Sequence, residues 1–154
     1  MRTTPRALVL GLLTALALVT LTACGGLIES ITGNTSVFSL EVGQCINQNI
    51  EGDSVSSIPV VDCAEAHTGE IYALPQVADG EFPGEQALGT QAEQECTGPA
   101  FQSYVGMPYQ DSAIYANTLL PTSESWASGD REIVCYLQDQ NGAELTGSLR
   151  GANR

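Results

Sequence analysis

Four cysteines, Cys45, Cys63, Cys96 and Cys135, run through the body of a chain whose opening residues carry the marks of an export signal. In an oxidising compartment an even set of thiols in a small domain reads first as two disulfides. Two cross-links constrain the fold strongly, because each must bring two remote positions within bonding distance. Three connectivities are possible. The sequential one, Cys45 with Cys63 and Cys96 with Cys135, is the expected pairing: it would tie two early strands together and staple a helix to the best strand. The spacings of 18, 33 and 39 residues hold no close pair of the kind zinc needs and no Cys-x-x-Cys. Neither a metal site nor a redox-active dithiol is expected.

The export signal is legible in order. Arg2 and Arg6 make a cationic start, residues 7–21 are apolar or small, and Leu21-Thr22-Ala23-Cys24 followed by Gly25-Gly26 ends the run. An apolar run of this length falls short of the roughly 20 residues a permanent membrane helix requires. Leu-Thr-Ala-Cys looks like the bacterial lipobox, in which the cysteine receives a diacylglycerol. The expectation is a signal peptide over 1–23 and a mature chain lipid-anchored through Cys24 at the outer face of the cytoplasmic membrane. More than one acyl chain would anchor it stably, each buried methylene contributing about 0.8 kcal/mol. Residues 24–37, rich in Gly, Ser, Thr and Asn, have the composition of a flexible tether, so the domain is expected over 38–154.

Charge narrows the function. Lysine is absent, and beyond residue 23 three arginines face all 18 acidic side chains, a formal charge of −15. Nucleic-acid binding depends on cations that neutralise phosphates, and no basic patch is available for it. The same sign repels anionic headgroups, so membrane attachment has to come from a hydrophobic anchor.

Residues 42–46, 58–63 and 70–75 read as short strands. Pro83-Gly84 opens a helical stretch with Leu88, Ala92 and Cys96 on one face. Gly98-Pro99 should break it and start a second short helix to Val105, turning Phe101, Tyr104 and Val105 inward. Residues 113–120 suggest a strand, residues 122–126 a capped helical turn, and residues 131–138 the best strand of the chain. Asn141-Gly142 is a hairpin signal that should send residues 143–146 back along it. This order describes a small, disulfide-stapled α+β domain with a mostly antiparallel sheet and one or two helices.

Candidate chemistry is sparse. His67 is the only imidazole, set among carboxylates in Asp62-Cys63-Ala64-Glu65-Ala66-His67-Thr68-Gly69-Glu70. It could serve as a base, or it could hydrogen-bond within the loop that starts the third strand, which is the more economical reading. No Gly-x-Ser-x-Gly elbow accompanies it. Trp126, Gly129, Asp130 and Arg131 form a compact cluster, read as core packing for the tryptophan and a structural turn for the rest.

Val42-Gly43-Gln44-Cys45, Pro59-Val60-Val61-Asp62-Cys63-Ala64-Glu65-Ala66-His67, Phe82-Pro83-Gly84, Tyr104-Val105-Gly106, Ser125-Trp126-Ala127-Ser128-Gly129-Asp130-Arg131 and Thr146-Gly147-Ser148-Leu149-Arg150-Gly151, with the four cysteines between, resemble the septum formation family of actinobacterial envelope proteins. The resemblance implies a place in the envelope and a link to division, with no assigned reaction. The expected protein is therefore a non-catalytic interaction module without cofactor. It would contact a division or cell-wall-synthesis protein through a face around His67, Glu70, Trp126, Asp130 and Arg131. The rival is a cell-wall hydrolase or transferase using a carboxylate near His67.

Overall fold

The computed structural model describes residues 33–47 and 55–154; the expected signal peptide, Cys24 and most of the expected tether lie outside them. Among the described residues six strands form one antiparallel sheet. They are β1 (Gly33–Ser36), β2 (Cys45–Ile46), β3 (Ser57–Val61), β4 (Gly69–Ala73), β5 (Ile114–Leu119) and β6 (Val134–Asp139), in the order β1-β3-β2-β4-β6-β5. The helices are α1 (Glu85–Thr97), α2 (Pro99–Val105) and α3 (Ser123–Ala127). The α+β class expected from the sequence is the class observed.

Strand β6 is the axis of the sheet, pairing with β4 on one side and with β5 along its full length on the other. Side chains alternate across a strand. Cys135 and Leu137 therefore meet Ala92, Phe101 and Val105 of the helices, while Val134 and Tyr136 meet Ile46, Ile58, Val60 and Ile71 on the opposite face. With both faces covered, β6 reads as a continuous apolar run. Leu88, Ala92 and Cys96 are the buried residues of α1, as their spacing predicts.

The break at Gly98 is steric. A Cβ there would lie 2.6 Å from the carbonyl oxygen of Gln94, so only glycine fits the junction. Pro99 then occupies the first turn of α2, where its missing N–H costs nothing, and Phe101, Tyr104 and Val105 turn inward as expected. Before the break, α1 carries Cys96 to Cys135, and Cys45 bonds to Cys63 just beyond β3, giving the sequential pairing.

Two sequence expectations differ. The strand at 42–46 shrinks to β2 because Gln44 N–H turns back to the Glu41 carbonyl and Gly43 takes a φ of 99°. The hairpin at Asn141-Gly142 does not form. Gly142 N–H closes a turn on the Asp139 carbonyl, but both edges of β6 are already filled by β4 and β5. The chain instead crosses to His67, with which Leu145 exchanges two backbone hydrogen bonds.

Candidate functional site

Glu70 sits in β4 with none of its surface exposed. Burying an ionised carboxylate costs far more than burying an amide unless donors surround it. Three do: Tyr104 Oη and Ser148 Oγ each donate to Oε1 at 2.6 Å, and the Leu149 N–H donates to Oε2 at 2.5 Å. Burial first, and its bond to the Glu70 carboxylate second, push the Tyr104 hydroxyl up to about 12. Arg150 lies over the Tyr104 ring, 4.3 Å from its centroid, closing the cluster from outside. The Thr146-Gly147-Ser148-Leu149-Arg150-Gly151 motif is thus a clasp on β4 and α2, further fixed by Gly147 N–H on the Cys63 carbonyl and Gly151 N–H on the Tyr104 carbonyl.

His67 is equally buried. Its Nδ1 lies 2.9 Å from the Glu65 carbonyl, which can only accept, so Nδ1 is the donor of that bond, and among the described residues Nε2 has no hydrogen-bond partner. With its backbone paired to Leu145, the histidine has the structural role that was the economical expectation. Ligand atoms of Cys45, His67 and Glu70 lie within 4.8 Å of one another. The sulfur, however, is consumed in a disulfide and the carboxylate already accepts three donors. The donor set does not fit a metal ion.

The tryptophan motif is a knot. Thr122 and Ser125 form a reciprocal capping box on α3, and Ser125 Oγ also donates to Asp130 at 2.8 Å. Asp130 accepts the Glu132 N–H as well, and Gly129 turns the chain with a φ of 98°. Arg131 stacks over the Trp126 ring at 3.8 Å while its Nη1 donates to the Trp126 and Asp130 carbonyls. Trp126 Nε1 reaches the Gly80 carbonyl, and Phe82 meets the indole edge-on. Residues 79–82 are pinned between β4 and α1 as a result.

The five residues expected to share an interaction face are not brought to one. His67 and Glu70 have no exposed surface, Trp126 keeps 5%, and Asp130 and Arg131 are half-buried around it. A sealed carboxylate and imidazole cannot meet a substrate from solution, so their chemistry is internal.

An open concavity lies elsewhere. A groove of about 750 Å³ runs where the end of β5, the start of β6 and α3 face the segment after β1. Val37, Leu119 and Val134 supply apolar floor, and Phe38, 62% exposed, stands at its side. Glu85, Glu124, Asp130 and Glu132 are four acidic residues of its lining, which among the described residues holds no arginine, lysine or histidine. Burial, with Asp130 nearby, raises the Glu132 carboxyl against a lowering bond from Gln76. Sequence reasoning missed this groove because its walls come from separate segments, none patterned by itself.

Comparison with known proteins places the chain. Two curated relatives, each named "Putative lipoprotein LppN", from Mycobacterium tuberculosis (strain ATCC 25618 / H37Rv) and Mycobacterium bovis (strain ATCC BAA-935 / AF2122/97), are 30% identical over 116 residues. The aligned region covers 73% of this chain, which spans 63% of the length of those relatives. No solved structure matches. The Septum formation family matches residues 42–154, the span that holds the Glu70 clasp, the tryptophan knot and both disulfides, and the chain belongs to that family.

Proposed function

We propose that this protein is an envelope lipoprotein that serves septum formation by binding another envelope protein, without catalysing a reaction. Cys24 carries the lipid, and the domain stands at the outer face of the cytoplasmic membrane. The observation that carries the reading is the contrast between two sites. The imidazole and the carboxylate nearest it are sealed from solvent, whereas the accessible groove offers apolar floor and fixed charge, the makings of a recognition surface. The family's name and the lipoprotein name of the mycobacterial relatives support the same direction.

The test is crosslinking in the native cell. The acylated full chain is expected in the membrane fraction, its mass raised by the lipid, with division or wall-synthesis proteins crosslinked to it. Cys24→Ser should release it and lose those neighbours. An unlipidated wild-type chain without neighbours, or a purified chain that cleaves isolated cell wall, would overturn the proposal.

A further inference from the structure

We infer that the groove beside α3 is the docking site for a basic protein segment in which arginine or lysine alternates with apolar side chains. This deepens the binding-module reading and rests on it. The argument is charge complementarity joined to shape. Four acidic residues line a single concavity, Asp130 and Glu132 accepting only neutral donors, and among the described residues the lining holds no cation. Among the described arginines, Arg131 is held over Trp126 and paired with Asp79 at 3.1 Å. Arg150 lies over Tyr104 on another part of the domain. A basic segment would complement that sign.

The floor adds the second half of the specificity. Val37, Leu119 and Val134, with the exposed ring of Phe38, give apolar side chains somewhere to go between the charges. The volume lies within the range of sites that hold a small ligand or a few residues of peptide. A second copy of this chain is disfavoured as occupant because it brings the same negative charge, and an anionic membrane surface is disfavoured for the same reason. Opposite charge in a rimmed groove speeds encounter and rejects acidic competitors, while the apolar contacts slow release.

The experiment uses the full acylated chain in detergent and a labelled peptide of alternating arginine and valine, read by fluorescence anisotropy. Peptides with glutamate for arginine, or serine for valine, are the controls. Glu85→Gln, Glu124→Gln and Glu132→Gln combined should weaken binding about tenfold and flatten its salt dependence, as losing a few rim charges at fractions of a kcal/mol each requires. Phe38→Ser should weaken it as well, by a route that salt does not alter. Glu93→Gln with Glu95→Gln, on the exposed side of α1, should leave it unchanged. Equal loss from that α1 pair, no binding of the basic peptide, or tighter binding of anionic vesicles or of a second copy would each overturn the inference. Should the triple variant misfold, Phe38→Ser and the serine-for-valine peptide still decide. In the cell, a triple variant that keeps every wild-type crosslink sinks the groove and leaves the binding module standing; a wild type with no crosslinks sinks the module itself.

Discussion

Glu70 shows how one buried side chain can organise a domain. Its carboxylate is stable inside only because Tyr104, Ser148 and the Leu149 N–H all point at it. Tyr104→Phe removes one donor and should cost about 1–3 kcal/mol, the usual cost of leaving a buried polar group short of a partner; denaturant unfolding would measure it. The same tyrosine sets an alkaline limit. An unfolded chain releases that proton near 10.0, whereas the fold holds it to about 12. The group's contribution is whole below pH 10 and is lost as pH rises through 12, because the folded state keeps a proton that the unfolded state has given up. Unfolding curves through the alkaline range should show wild type losing stability faster than Tyr104→Phe. Arg131→Lys should cost about 1 kcal/mol, since an ammonium cannot both lie flat on Trp126 and bond two carbonyls.

At the scale of elements the junction at Gly98 is the most sensitive point. Gly98→Ala drives a methyl against the Gln94 carbonyl and should destabilise by on the order of 1–3 kcal/mol, seen as a lowered melting temperature. This junction was legible in the sequence, because glycine and proline act through the local backbone. So were the inward faces of α1 and α2, whose period needs no knowledge of neighbours. The path after Asn141-Gly142 was not: the turn chemistry is correct, but whether a returning strand finds a free edge depends on β5, more than twenty residues earlier in the chain. The burial of Glu70 escaped for a related reason. A sequence dense in acids gives no sign of which carboxylate the fold encloses, and the donors to Glu70 come from 34 to 79 residues away. The tryptophan motif was read both as a structural turn and as part of an interaction face, and its hold on residues 79–82 needed the fold.

The domain is cross-linked twice, Cys45–Cys63 within the sheet beside β2 and β3 and Cys96–Cys135 between helix and sheet. In the chain-entropy picture, closing loops of 18 and 39 residues contributes about 3 and about 4 kcal/mol. A domain of this size has a total stability of about 5–15 kcal/mol. Reduction should therefore lower the melting temperature by many degrees or unfold the domain outright; an unchanged melt in reductant would rule the disulfides out as its main support. The clasp on Glu70 has a bearing on timing as well. A chain that emerges N-terminus first delivers Glu70 long before Ser148, 78 residues later, and Leu149, 79 residues later. Until those residues arrive the carboxylate lacks two of its three donors and has reason to stay in water. The core is therefore expected to close only once residues 148 and 149 have been made, and pulse-labelled, stalled chains ending before them should stay protease-sensitive.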